Sequence, residues 1–336
     1  MTEHRIAIVG AGALGLLLGG RLAEAGVPAV LATRTEEQAE RLRREGIALR
    51  DGQSGAVRRI AAAAEPIGRM PSGAESLVVL TVKQTAIGPQ LLSALARISR
   101  ADAAVAAFQN GIGHLEKLAG ALPGRTLLAA VTTEAALRTG DCAVSHTGRG
   151  RTWIGPAPLD EADARSAAEA RGPAPGAGAD TEAESPMPEA ARRLETALKQ
   201  AGFSVILSNR LKERMMRKLL VNAVVNPLTA LLRVANGELL AAPERVALAR
   251  ALFDETVRVL SRWGLPSDPD PLWDELQAVC ASTAHNRSSM LQDVLAGRPV
   301  EIDAINGEIV RLAGRAGEAA PWNEAVTALL KAMNQP

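Results

Sequence analysis

A chain of 336 residues is long for one compact domain, so two domains, each with its own apolar core, are expected. Basic and acidic residues nearly balance, 38 against 37, and aromatics make up only 2%, which leaves no electrostatic footprint for nucleic acid or an anionic membrane. Two cysteines, Cys142 and Cys280, lie far apart without ligand spacing, so neither a disulfide framework nor a metal site is indicated. A cytoplasmic protein with a small-molecule partner is the expectation.

The run Arg5-Ile6-Ala7-Ile8-Val9 reads as a buried strand ending at Gly10. Gly10-Ala11-Gly12-Ala13-Leu14-Gly15 follows, then a helical pattern through Leu16, Leu17, Leu18 and Leu22 to Gly26, then the strand Ala29-Val30-Leu31-Ala32. A glycine triplet at this spacing is weak evidence alone; between a strand and a helix of a βαβ unit it predicts a dinucleotide-binding loop. Its glycines allow a tight turn and close approach to a pyrophosphate, met by free N–H groups of the helix N-terminus. The apolar stretch from Ile6 to Gly20 with Ala23-Glu24-Ala25 also imitates a signal peptide, but the glycines punctuate it where a turn needs them. No other stretch approaches the roughly 18 apolar residues of a membrane span.

The end of the second strand separates the two nicotinamide dinucleotides, because an acidic residue there accepts from a ribose 2′-hydroxyl and repels a 2′-phosphate. This chain has Thr33-Arg34, and Arg34 favours NADPH, although an ordinary surface arginine is the bland reading. Further buried strands are expected at Leu77 to Val82, Ala103 to Phe108 and Leu127 to Val131, which suits a mainly parallel sheet covered on both faces. Lys83 and Asn110 follow two of these strands and so belong at the carboxyl edge where ligands bind; Asn110-Gly111 is also a routine turn pair.

From about 159 to 189 the composition turns to Ala, Gly, Pro, Glu and Asp, read as a flexible insertion. A helix from Ala190 to Gln200 and a strand from Phe203 to Leu207 follow, and beyond Asn209 the pattern is helical. The fold class is therefore an α/β Rossmann-type N-terminal domain over 1–208 and an all-α C-terminal domain over 209–336.

Within Arg217 to Leu228, Lys218, Asn222 and Asn226 share one face of an otherwise apolar helix. A lysine and two amides facing a core are costly unless something polar meets them, and a substrate pocket is the economical explanation. A solvent-facing stripe is the alternative. Pro227 is expected to kink or end the helix at Asn226. Ser288, Ser289 and Asp303 read equally well as helix caps, and Asn306-Gly307 as a helix exit.

Taken together, GAGALG at 10–15, TVK at 81–83, QNG at 109–111, RKLLVNAVVNPLTAL at 217–231, NGEL at 236–239, SSMLQD at 288–293 and EIDAINGEI at 301–309 resemble the ketopantoate reductase (2-dehydropantoate 2-reductase) family. The resemblance implies NADPH-dependent reduction of 2-dehydropantoate to pantoate in pantothenate biosynthesis, by a monomer or homodimer, with the ligand in a cleft between domains. It makes Lys218 the proton donor. It gives Asn222, Asn226, Asn236, Asn286, Ser288 and Ser289, with Lys218, to the substrate. It gives Gly10, Ala11, Gly12, Ala13, Leu14, Gly15, Lys83, Asn110, Ala136 and Glu301 to the cofactor, beside the Arg34 expectation, with Glu301 read as an orienting or cofactor-contacting group. The insertion departs from the family pattern, and Glu134 and His146 receive no role. Another branched 2-keto acid as substrate, and a non-catalytic NADPH sensor, remain alternatives.

Overall fold

A strand forms where β-branched residues are buried on both faces, and Ile6–Val9 (β1) is buried at all four positions. The computed structural model describes residues 5–159 and 186–333, so almost all of the expected insertion at 159–189 lies outside the described residues. Two compact units are found. One takes in the chain to Gln109 and from His114 to Leu211; the other takes in Asn110–Gly113 and the chain from Lys212 onward.

In chain order the first unit contains β1, α1 (Ala13–Glu24), β2 (Ala29–Thr33), α2 (Glu36–Glu45), β3 (Ile47–Asp51), β4 (Val57–Ile60), β5 (Ala63–Pro66), β6 (Glu75–Leu80), α3 (Pro89–Ile98) and β7 (Ser99–Ala107). It continues with α4 (His114–Ala121), β8 (Thr126–Thr132), β9 (Ala135–Gly140), β10 (Ala143–Gly148), β11 (Arg151–Pro156), α5 (Glu189–Gln200) and β12 (Ser204–Leu207). An eight-stranded sheet runs in the order β12-β11-β8-β7-β6-β1-β2-β5. Every neighbouring pair is parallel except β8 with β11, as the mainly parallel sheet read from the sequence requires.

A second sheet of four strands, β4-β3-β10-β9, was not anticipated. It explains why α1 carries leucines on several faces. Leu16, Leu17, Leu18 and Leu22 share one core with Ile8 and Leu31 of the first sheet and Ile47, Leu49 and Val144 of the second. Gly19 lies against Leu31 and Gly20 against Ile47, so the two glycines let α1 approach both sheets. The apolar run that imitates a signal peptide is thus β1 and a helix sandwiched between sheets.

The second unit is helical: α6 (Leu211–Leu232), α7 (Pro243–Ser261), α8 (Pro269–Ser282), α9 (Ser289–Leu295), α10 (Ile302–Arg315) and α11 (Pro321–Met333). Leu219, Leu220, Ala223, Val224 and Leu228 of α6 pack in one core with Leu252, Phe253, Leu276, Ile305 and Ile309. Two expectations are corrected here. Of the kink or end expected at Pro227, the end is ruled out, since α6 continues to Leu232. The carbonyl left without a helical donor, that of Ala223, accepts from Asn306 Nδ2 at 2.8 Å. Asn306-Gly307 accordingly lies inside α10 instead of at a helix exit. α6 stops at Arg233, in the left-handed region at φ 56°, with Val234 N donating to the Thr229 carbonyl in a Schellman turn.

Candidate active site

In the first unit the glycine loop, Arg34 and Lys83 follow the carboxyl ends of β1, β2 and β6, where the strand order reverses around β1. Gly10 takes φ 112°, and its carbonyl accepts from Thr81 Oγ1 at 2.8 Å, which fastens the loop to the end of β6. A Cβ on Gly15 would lie 1.8 Å from that same carbonyl oxygen, so only glycine fits. A Cβ on Gly12 would meet nothing within 4 Å beyond its chain neighbours among the described residues, which leaves that side of the loop open to a ligand. Gly12 starts α1 without a side-chain cap, and no acidic residue stands in the first turn. Open glycine backbone beside an uncapped, acid-free helix N-terminus fits a pyrophosphate.

Lys83 is exposed just beyond β6, and Asn110 follows β7 by three residues. Ala136 differs: it lies on β9 of the second sheet, opposite His146. Arg34 follows β2, is exposed, and takes part in no hydrogen bond or ion pair among the described residues. Glu36, two residues on, would oppose a phosphate, but its carboxylate is held by Arg43 at 2.9 Å and Arg69 at 2.7 Å. β5 pairs with β2 in the register Thr33 to Pro66, which brings Arg69 to the corner occupied by Arg34.

In the second unit Lys218, Asn222 and Asn226 fall on successive turns of α6, with Asn226 buried and the other two partly so. Lys218 is partly exposed as a residue, yet its charged end is densely surrounded by protein. Desolvation pushes its pKa down to about 8, against the opposing attraction of Glu301 at the N-cap of α10. Asn236 is buried and donates from Nδ2 to Thr283 Oγ1 at 3.0 Å, while its Oδ1 finds no partner among the described residues. The Asn236 backbone N–H donates to the Asn286 carbonyl at 3.0 Å, joining the two loops. Gly237 permits this approach, since a Cβ there would lie 2.6 Å from that of Ala284. Ser289 is exposed at the first turn of α9. Ser288 is buried and caps that helix, accepting from Leu291 N at 3.1 Å, with Thr229 Oγ1 at 2.7 Å; the cap reading accounts for its oxygen.

Two family models match the chain. "Ketopantoate reductase PanE/ApbA" covers residues 6–158, and "Ketopantoate reductase PanE/ApbA C terminal" covers 210–334. The 2-dehydropantoate 2-reductase of Bacillus subtilis is 32% identical over 98% of each chain. The chain belongs to the ketopantoate reductase family. The 2-dehydropantoate 2-reductase of Archaeoglobus fulgidus is 31% identical over 93% of this chain and 91% of its own. The ketopantoate reductase structure from Ralstonia eutropha JMP134 superposes with a TM-score of 0.79 at 25% identity, covering 98% of each chain.

Three features of this ketopantoate reductase family member escaped the sequence reading. Gln109 Nε2 donates to the carbonyls of Leu80 and Val82, both at 3.0 Å, and so fixes the end of β6. Arg69 lies on a turn whose strand was too short and alanine-rich to be read. Glu134 and His146, unassigned before, form a buried pair at 2.6 Å. His146 Nε2 faces Glu134 Oε2 at 2.6 Å, and Arg21 Nη2 lies 3.5 Å from His146 Nδ1 on the other side of the ring. The trio fastens the second sheet to α1.

Proposed function

We propose that this protein reduces 2-dehydropantoate to (R)-pantoate with NADPH, Lys218 acting as the proton donor. The carrying observation is a desolvated lysine, with a pKa of about 8, on the same helix face as Asn222 and Asn226 and under the influence of Glu301. When bound, the nicotinamide supplies the hydride that adds to the ketone carbon. As that bond forms, an electron pair moves to the carbonyl oxygen, and Lys218 Nζ stabilises the developing charge and transfers its proton there. General-acid assistance of this kind contributes about 10²- to 10⁴-fold. A lysine near neutrality is matched to the task, whereas one at its ordinary value would give up its proton less readily.

Asn222, Asn226, Asn236, Asn286 and Ser289 supply the amide and hydroxyl groups that orient the substrate's carboxylate and hydroxyl. Ser288, which caps the helix that carries Ser289, completes the substrate-binding set. The glycine loop 10–15, including Ala11, Ala13 and Leu14, receives the pyrophosphate, with Lys83, Asn110, Ala136 and Glu301 as further cofactor contacts. Arg34 favours the 2′-phosphate, and Arg43 and Arg69 neutralise the Glu36 carboxylate, which would oppose it. The names of the relatives from Bacillus subtilis and Archaeoglobus fulgidus support the substrate assignment.

The test follows NADPH oxidation with 2-dehydropantoate and with straight-chain and other branched 2-keto acids. The largest kcat/KM is expected for 2-dehydropantoate. Tight NADPH binding without turnover of any of them would overturn the assignment.

A further inference from the structure

Proline 227 sits inside α6, one residue past Asn226 and nine past Lys218. A proline has no N–H, so the carbonyl four residues before it, that of Ala223, loses its helical donor. A buried carbonyl without a partner is costly and is the usual origin of a kink at such a point. Asn306, on α10 and fully buried, donates from Nδ2 to this carbonyl at 2.8 Å.

The donor is itself held in place. Asn306 Nδ2 also donates to Asn323 Oδ1 at 2.9 Å, and Asn323 Nδ2 donates to Glu255 Oε1 at 2.9 Å and Thr256 Oγ1 at 3.2 Å. Glu255 further accepts the backbone N–H groups of Trp322 and Asn323 at 3.0 and 2.8 Å. A chain of buried polar groups thus runs from α7 through α11 and α10 to one carbonyl of α6.

The register matters as much as the bond. Glu301, at the start of α10, acts electrostatically on Lys218, and Asn306 bonds Ala223. Asn306 lies five residues past Glu301 and Ala223 five past Lys218, so the hydrogen bond and the electrostatic attraction join the same two stretches of chain in the same direction. We infer that Asn306 is a positioning residue: it replaces the hydrogen bond that Pro227 removes and so fixes the Lys218, Asn222 and Asn226 face relative to Glu301. Its effect on catalysis rests on the function proposed above.

The test is a double-mutant cycle of Asn306→Leu and Pro227→Ala. Alanine at 227 restores an N–H for the Ala223 carbonyl, which makes the side-chain donor dispensable. Asn306→Leu alone is expected to lower kcat by about 10- to 100-fold, the scale of a small misplacement of a reacting group, with NADPH affinity unchanged. Pro227→Ala alone should stay near the wild-type rate, and the double variant should recover most of the loss. A folded Asn306→Leu protein with wild-type kcat, or a double variant whose melting temperature recovers while its kcat does not, would overturn the inference. Should Asn306→Leu fail to fold, Asn306→Ala with and without Pro227→Ala gives the same comparison. Titration of Lys218 by NMR after ¹³C-methylation of the lysines reads its position without turnover. The Lys218 titration should shift in Asn306→Leu and return in the double variant, and an unchanged titration counts against positioning. Loss of the proposed reaction in the wild-type protein would leave that readout intact, so the two failures are distinguishable.

Discussion

The carbonyl oxygen of Gly10 stands where a side chain on Gly15 would have to begin: a Cβ built on Gly15 lies 1.8 Å from it. Gly15→Ala must therefore displace the loop, and NADPH affinity, read by fluorescence titration, should fall by at least about 10-fold with a lowered melting temperature. Gly12→Ala separates binding from folding, because beyond its chain neighbours its methyl group meets nothing within 4 Å among the described residues. It should melt like the wild type and still bind NADPH more weakly. Undiminished binding by Gly12→Ala would remove this loop as the pyrophosphate cradle.

Arg34 is exposed and engages nothing among the described residues, so replacing it leaves the fold alone. Arg34→Asp should reduce the ratio of kcat/KM for NADPH over NADH by at least about 10-fold, the worth of one charge-assisted contact. An unchanged ratio would assign the preference elsewhere.

Lys218 must be protonated to serve as acid, and its pKa is lowered to about 8, first by desolvation. The rate should be on its plateau near pH 7 and fall as pH rises through about 8. Glu301 opposes that lowering, so Glu301→Gln should depress the pKa further and move the alkaline limb to lower pH. A limb that stays in place would separate the two residues.

How much of this was legible in the sequence follows from the physics of each element. β1, β2, β6, β7 and β8 were visible because strands buried on both faces read as unbroken apolar runs. β4, which reads Val-Arg-Arg-Ile and is largely exposed, carries no such signal, and its whole sheet was missed. The polar stripe on α6 was visible because residues four apart share a face. The passage of that helix through Pro227 was not, since the donor that permits it comes from Asn306, 79 positions away in the chain. Arg69 was hidden for the same reason: only the pairing of β5 with β2 brings it beside Glu36.

Glu134 and His146 are both buried at the side chain, and each is the other's main polar partner. His146→Ala would strand a carboxylate away from water and should destabilise the protein by about 2–4 kcal/mol, measured by urea unfolding. The double change to leucine at both positions should cost less than His146→Ala alone. A loss below about 0.5 kcal/mol for the single variant would show that water reaches the site.

The central claim is that Lys218 delivers the proton, and single-turnover oxidation of bound NADPH by 2-dehydropantoate tests it most directly. Lys218→Ala should slow that step by about 10²- to 10⁴-fold while NADPH binds as before. A Lys218→Ala protein that turns over at the wild-type rate would contradict the account.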